Sequence, residues 1–304
     1  MARILVIKLG ALGDFVQAFA PFAALRRCHA DDHITLLTTA PFVALARASP
    51  WFDEVRVDTR PRWTDLAGVR RLRDRLRGFD VIYDLQTSGR TSRYFRLAGK
   101  PRFSGIAKGA LLRHANPWRD AMHTRARQRD QLKVAGLRDV PDPDLDWLTA
   151  DSATVPDVGP EPFALLVPGA APHRPAKRWP VQRFAELAVR LQARGLRPVV
   201  VGARGDSALA QVIRAGCPAA LDLTGRTSLT ELGALAARAA WAIGNDTGPM
   251  HLAAAVGCPC IVLFSSESDP ALTAPLGRRP GQVRVLRRAD LAALSAARVA
   301  AALN

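Results

Sequence analysis

Three polar segments of this sequence carry residues that could do chemistry, and the first is Leu9–Asp14, which reads L-G-A-L-G-D after an apolar run. Gly10 and Gly13 allow a tight turn and let a ligand come close to the backbone. Asp14 begins the next helical stretch, where an aspartate can simply cap the helix. Alternatively, its carboxylate could act as a general base toward a hydroxyl, which is a poor nucleophile until a base takes its proton.

The second segment, Val167–Pro180, follows another apolar run and leads into a helical pattern. Lys177 or Arg178 could supply a cation that lowers the barrier to departure of a diphosphate, because negative charge builds on that leaving group. The alternative is a solvated loop with Trp179 packed under the helix.

The third segment, 244–259, reads G-N-D-T-G-P-M-H-L-A-A-A-V-G-C-P, which predicts a strand end, a polar turn and a helix. Pro249 suits the first helical turn, where its missing N–H is not needed. The backbone N–H groups of residues 247–251 are then expected to form an anion site suited to a diphosphate. Each side chain could instead have a structural role. Asp246 and Thr247 could cap the helix, and Met250 could pack in the core. His251 could be a partly buried histidine whose ring nitrogens are hydrogen-bonded within the protein.

Apolar runs and helical patterns alternate around these segments. Continuous apolar runs indicate strands buried on both faces, and therefore parallel sheets covered by helices. In the first half the strands are predicted at Ile4–Leu9, Ile34–Thr38, Glu54–Val57 and Val81–Leu85, and in the second half at Ala164–Val167, Pro198–Val201, Ala240–Ile243 and Cys260–Phe264. The fold class is therefore α/β, with two Rossmann-like domains facing across a cleft and ligands at the carboxyl ends of the strands.

The domain limits follow from a break in this alternation. Asp139–Pro162 contains five prolines and several acids, as linkers do. We expect an acceptor-side domain over residues 1–150 and a donor-binding domain over 163–288. A C-terminal helix over 289–304 could pack back toward the first domain.

Composition excludes several classes of protein. Hydrophobic residues make up 48% and charged residues 23% of the 304 residues, which is ordinary for globular domains. Lys8 and Asp14 interrupt the apolar start, so it does not resemble a signal peptide, and no run suits a membrane span. We expect a cytoplasmic protein. The cysteines and histidines lack metal-ligand spacing, so no metal and no cofactor is expected.

The net charge of +16 is concentrated in one segment. Gln86–Arg129 contains eleven basic residues and one acid, Asp120. This segment could be a solvated face, or a surface for an anionic acceptor or an anionic membrane leaflet. Nucleic acid is not an expected partner, because no recognised motif and few aromatic residues accompany the charge. The basic residues assigned to the acceptor or membrane side are Arg90, Arg93, Arg96 and Arg113.

Taken together, the three segments and Tyr83-Asp84-Leu85-Gln86 resemble glycosyltransferase family 9, the lipopolysaccharide heptosyltransferases. Asp246–His251 is the most specific part of the resemblance. The resemblance implies a GT-B fold, inverting transfer, an ADP-heptose donor and an acceptor in the lipopolysaccharide inner core. That acceptor is an anionic glycolipid on the cytosolic face of the inner membrane, so the resemblance also implies a peripheral membrane location.

The resemblance further assigns roles to individual residues. Asp14 looks like the family's base and Lys177 like the residue that holds the donor phosphates, so both are predicted catalytic residues. Glu231 looks like the ribose-binding acid, and Met250 resembles a position near the adenine. The predicted donor-binding residues are Gly13, Glu231, Asp246, Thr247, Gly248, Met250 and His251.

Three loops depart from the family pattern, at residues 86–92, 168–175 and 265–270. Because these are binding loops, one alternative is a member that uses another nucleotide-diphosphate sugar for a surface glycan. Another is a nucleotide-sugar epimerase on the same two-domain architecture. A basic binding protein without turnover is the non-enzyme alternative. The intact Asp14, Lys177 and Asp246–His251 set favours an enzyme.

Overall fold

A computed structural model describes residues 1–149 and 155–303. Residues 150–154 of the predicted linker, and Asn304 of the predicted terminal helix, lie outside the described residues. The chain forms two compact units, Met1–Asp144 and Leu145–Asn304.

The first unit is a six-stranded sheet with helices between its strands. Its strands lie in the order β3-β2-β1-β4-β5-β6, and every pair is parallel. Its elements are β1 (Arg3–Ile7), α1 (Leu12–Gln17), α2 (Phe19–Cys28), β2 (His33–Thr38), α3 (Val43–Ala48), β3 (Glu54–Val57), α4 (Leu66–Leu76), β4 (Val81–Asp84), α5 (Gly89–Leu97), β5 (Arg102–Gly105), β6 (Leu112–Arg113) and α6 (Thr124–Val134).

The second unit repeats this architecture. Its strands lie in the order β12-β11-β10-β7-β8-β9, again with parallel pairs only. Its elements are α7 (Asp146–Thr149), β7 (Phe163–Val167), α8 (Val181–Gln192), β8 (Arg197–Val200), α9 (Ser207–Gly216), β9 (Leu221–Asp222), α10 (Leu229–Arg238), β10 (Trp241–Asn245), α11 (Gly248–Ala255), β11 (Cys260–Phe264), α12 (Pro270–Thr273), β12 (Val283–Arg287) and α13 (Ala296–Ala301).

The central strands are apolar because helices cover both faces of each sheet. Ile4, Leu5, Val6 and Ile7 are all fully buried in β1, as are Ala164 and Leu166 in β7. This explains why apolar runs without alternation predict parallel strands. The fold class expected from the sequence, two parallel-sheet α/β domains, is confirmed.

The end of the chain differs from the helix predicted over 289–304. A short 3-10 turn at Leu291–Ala293 precedes α13. Ala296 and Val299 are buried in the core of the second unit, and α13 packs against α8. Within residues 1–149 and 155–303, no helix combines the length and the apolar composition needed to cross a bilayer.

Each sheet has one point where the strand order reverses. In the first unit this point lies between β1 and β4, and in the second between β7 and β10. Chains leaving two neighbouring parallel strands there run in opposite directions, which opens a crevice at the carboxyl ends of the strands. The three polar segments and Tyr83–Gln86 begin at the ends of these four strands.

Candidate functional site

The loop after β1 is shaped by a glycine that no other residue could replace without strain. Gly10 has φ of +121°, and a Cβ atom there would lie 2.8 Å from Phe42 Cε2. The chain then enters α1, whose N-cap is Ala11 and whose first turn contains Asp14. Asp14 is therefore not the cap residue, as one interpretation of the sequence had it.

Asp14 is partly exposed, and its carboxylate makes no hydrogen bond or ion pair within the described residues. Gly13 precedes it in the same turn and is also partly exposed. Both carboxylate oxygens of Asp14 are therefore available to accept a proton or a hydrogen bond.

Two buried ionisable residues, Lys8 and Asp84, lie at the same switch point. Lys8 Nζ donates to the carbonyl of Leu85 at 3.1 Å, and Asp84 accepts from the N–H groups of Gln86 and Thr87 at 3.1 and 3.0 Å. Burial lowers the pKa of Lys8, an effect that the carboxylates of Asp14 and Asp84 partly oppose. Burial also raises the pKa of Asp84 to about 6, against the opposing effect of the hydrogen bonds it accepts.

Gln86 joins the two loops of the first switch point. Its Oε1 accepts from the N–H of Leu9 at 2.8 Å. From the opposite side, Gln131 on α6 donates to the carbonyl of Asp84 at 2.9 Å. The loop that carries Asp14 is therefore tied at its start to the end of β4.

In the second unit, Lys177 and Asp246 meet directly. Lys177 Nζ donates to Asp246 Oδ2 at 2.5 Å, and Ser268 Oγ donates to the same oxygen at 2.7 Å. The side chains of Lys177 and Asp246 are 13% and 7% exposed. A lysine ammonium has three hydrogens to donate, so the contact with Asp246 leaves two of them for a ligand.

Asn245 fixes the two loops that carry this ion pair. It is fully buried, its Oδ1 accepts from the N–H of Trp179 at 2.9 Å, and its Nδ2 donates to the carbonyl of Pro168 at 2.8 Å. Gly244, the residue before it, allows β7 and β10 to approach, because a Cβ atom there would lie 2.6 Å from Val167 Cβ. Sequence reasoning gave Asn245 and Ser268 no role. Only the position of Asn245 at the end of a buried strand could have suggested one.

The amino end of α11 offers fewer free donors than expected from the sequence. Pro249 has no N–H, and the N–H of Met250 donates to the carbonyl of Thr247 at 3.1 Å. Thr247 occupies the N-cap position without a side-chain cap. The N–H groups of Thr247 and Gly248 donate to no acceptor within the described residues, so they are the ones available to an anion.

Three other residues that are predicted to bind the sugar donor are buried or take part in a helix cap. Met250 is fully buried, and its Sδ would lie 2.9 Å from a Cβ at Gly244. His251 is also buried. Glu231 is partly exposed and forms a capping box with Ser228, whose N–H donates to Glu231 Oε2 at 2.7 Å. Met250 thus packs in the core, and Glu231 closes the start of α10.

The four basic residues assigned to the acceptor side divide into two pairs. Arg90 and Arg93 both stack over Trp63, with the guanidinium carbons 4.9 and 5.2 Å from the ring centroid, and Arg90 also donates to Tyr94 Oη. Arg96 and Arg113 are exposed. Among the described residues, no three His, Cys, Asp or Glu side chains group as metal ligands would.

Comparison with known proteins identifies the family to which the chain belongs. The sequence model of glycosyltransferase family 9 (heptosyltransferase) matches residues 69–300. Lipooligosaccharide heptosyltransferase 2 of Haemophilus influenzae is 35% identical over 134 residues, which are 42% of this chain and 38% of that protein. The match therefore spans well under two thirds of that relative's length.

Solved structures match over almost the whole chain. ADP-heptose lipopolysaccharide heptosyltransferase II of Escherichia coli is 23% identical with a TM-score of 0.76, covering 99% of this chain and 97% of that one. The Escherichia coli heptosyltransferase WaaC with ADP is 21% identical with a TM-score of 0.79, covering 98% and 97%. At these identities the likeness establishes the fold.

Proposed function

The chain belongs to glycosyltransferase family 9, and on that premise we propose that it transfers a heptose from ADP-heptose to an acceptor in the lipopolysaccharide inner core. The observation that carries this proposal is the convergence of Lys177 with the turn at Asp246–Gly248. Together they offer a cation and backbone donors at one edge of one sheet, which are the groups that a departing diphosphate needs.

On the donor side, the diphosphate would accept hydrogen bonds from the N–H groups of Thr247 and Gly248 and from Lys177. Asp246, which also accepts from Ser268, holds the ammonium group of Lys177 from one side, so that its remaining hydrogens can point at phosphate oxygens. As the bond between sugar and diphosphate breaks, these donors would stabilise the charge that develops on the leaving oxygen.

On the acceptor side, Asp14 would take the proton of the attacking hydroxyl. Its carboxylate accepts no hydrogen bond and forms no ion pair within the described residues, which supports that assignment. Attack from the face opposite the leaving diphosphate would give a single displacement with inversion at the anomeric carbon. Arg96 and Arg113 are exposed cations that suit the anionic groups of an inner-core glycolipid, and such an acceptor would bring the enzyme to the inner membrane as a peripheral protein.

The choice of ADP-heptose is supported by relatives rather than by a contact. The names of the similar proteins describe heptosyltransferases, and one solved neighbour is an ADP-heptose enzyme. Ser268 lies in a loop that departs from the family pattern and contacts Asp246, so this loop is where a different donor preference would arise.

The test is ADP release from ADP-heptose with and without a purified Kdo–lipid A acceptor, with the glycolipid product identified by mass spectrometry. We expect ADP release that depends on the acceptor and a product heavier by one heptose. Conversion of the sugar nucleotide without acceptor would instead indicate an epimerase. Absence of any product, with ADP still bound, would reject heptose transfer and direct a screen to other nucleotide sugars.

A further inference from the structure

Two large apolar side chains of the first unit are exposed on either side of its edge strand. Leu111 precedes β6 and is 76% exposed, and Trp118 follows it and is 74% exposed. Tryptophan is highly buried on average in folded proteins, so the exposed indole of Trp118 is the more informative of the two. We call residues 108–119, which contain both side chains, the edge segment.

The edge segment is held in an ordered conformation, so its exposure does not come from a loose loop. His114 Nε2 and Asn116 Nδ2 both contact Asp130 Oδ2, at 2.8 and 2.6 Å. Asn116 Oδ1 in turn accepts from the N–H of Trp118 at 2.9 Å. The indole is thus carried on a fixed turn that projects it away from the core.

The exposed charges within the edge segment are positive, and the acid that directly follows it, Asp120, is paired with Arg119. Lys108 and Arg113 are exposed within the edge segment, and Arg102 is exposed in the strand before it. No acidic residue occurs between Asp84 and Asp120. Tryptophan with neighbouring lysine and arginine is the combination that favours the boundary between lipid headgroups and acyl chains.

We propose that the edge segment docks on an anionic lipid surface, with Leu111 and Trp118 inserted below the headgroups and Lys108 and Arg113 on their phosphates. The proposal rests on the proposed function in that the acceptor is taken to be lipid-anchored. Arg119, next to Trp118, interacts electrostatically with Asp84 at the end of β4. Docking through this segment therefore brings lipid to the sheet edge that carries Asp14.

The test is co-sedimentation of the full chain with vesicles of phosphatidylcholine, with and without phosphatidylglycerol. The variants are Leu111→Ser and Trp118→Ser, and the matched control is Leu66→Ser, which removes a leucine that is 79% exposed in the same unit but outside the edge segment. We expect wild type and Leu66→Ser to bind anionic vesicles equally, and each edge-segment variant to bind about tenfold more weakly. Added salt should weaken binding of all four proteins.

Several outcomes would overturn the proposal: no binding of wild type to anionic vesicles, equal binding by the edge-segment variants, or an equal loss in Leu66→Ser. Sedimentation velocity without lipid adds another, because a dimer that Trp118→Ser abolishes would make this segment a contact between two copies of the chain. ADP release with a deacylated, water-soluble acceptor should be the same in Trp118→Ser and wild type. Vesicle binding without any transfer would reject the proposed function and leave the lipid surface standing.

Discussion

At the scale of single residues, Asp14 and Asp84 are two carboxylates of the same switch point with opposite surroundings. Asp84 is buried, hydrogen-bonded and adjacent to Lys8, whereas Asp14 is partly exposed and has no hydrogen bond or ion pair within the described residues. A general base must reach its substrate and must be free to accept a proton. Of the two, Asp14 meets both conditions.

Replacing Asp14 with Asn keeps the shape of the side chain and removes its basicity. We expect Asp14→Asn to lower kcat by about 10²–10⁴-fold, the usual contribution of a general base. The Kd for ADP, measured by calorimetry, should stay unchanged, because ADP is proposed to bind the second unit. Asp31→Asn, which alters an exposed aspartate of the same unit, is the control and should have wild-type kcat. Wild-type turnover in Asp14→Asn would remove Asp14 from the mechanism.

The Lys177–Asp246 pair gives a prediction about stability. Removing one partner of a largely buried ion pair leaves the other charge unpaired, so Asp246→Asn should lower the free energy of unfolding by about 3 kcal/mol. Lys177→Met combined with Asp246→Asn should recover part of that loss, as urea titrations of the four proteins would reveal. Strictly additive losses would mean that the two side chains do not interact in solution.

At the scale of elements, Asn245 connects the end of β10 to both ends of the loop that carries Lys177. In Asn245→Ala, the carbonyl of Pro168 and the N–H of Trp179 lose their partner in a buried environment. Each unsatisfied group costs about 1–3 kcal/mol, so the loss of both bonds should lower the free energy of unfolding by about 2–6 kcal/mol. Differential scanning calorimetry measures the change. A loss below about 0.5 kcal/mol would mean that water or a shifted loop replaces both bonds.

The sequence predicts the central elements well and the peripheral ones poorly, for a physical reason. Strands such as β1 and β11 are buried on both faces and therefore read as continuous apolar runs. Edge strands such as β6 and β12 are short or half-exposed, so they lack that run. Residues Asp14–Cys28 have helix-type spacing and so predict one helix, but the chain forms α1 and α2 with a break at Ala18. Pro21 accounts for the break, because it has no N–H to donate to the carbonyl of Gln17 and its ring crowds that carbonyl.

The candidate site could be predicted as a set of segments but not as a set of contacts. Strand ends locate Asp14 and Asp246, because ligands bind at the carboxyl edge of parallel sheets. The contact of Lys177 with Asp246 spans 69 residues of sequence, and only the folded chain reveals it. Glu231 is different, since the S-x-x-E pattern of a capping box is visible in the sequence itself.

At the scale of the whole molecule, the same strand order is used twice. Each unit has its strands in the order 3-2-1-4-5-6 when they are counted from its own first strand. Each therefore supplies one switch point, and the proposed base and the proposed phosphate site belong to different units. A reaction that joins a donor to an acceptor suits this division, because each substrate can bind a sheet of its own.

The dependence of the free energy of unfolding on pH is also a property of the whole chain. Different carboxylates contribute to it with opposite signs. Hydrogen bonds lower the pKa of Asp32, from the N–H of Ala2, and that of Asp130, from Asn116 and His114. Their stabilisation is present above their unfolded-state pKa and is lost as the pH falls. Asp84 has the reverse sign, because burial raises its pKa to about 6 from 3.8. The contribution of Asp84 to the free energy of unfolding is full below its pKa in the unfolded chain, and it is lost as the pH rises through about 6.

Asp84→Asn isolates this contribution, because an amide does not titrate and its oxygen can still accept from Gln86 and Thr87. Relative to wild type, the variant should gain about 2–3 kcal/mol of unfolding free energy between about pH 4 and pH 7, because the pKa of about 6 already includes the attraction of Lys8. Urea titrations of both proteins across this range measure the difference. Asp31→Asn, exposed in the same unit, should follow wild type at every pH. Parallel curves for Asp84→Asn and wild type would mean that Asp84 has the same pKa in the folded and unfolded chain, and hence that solvent reaches it beneath the loop of Asp14.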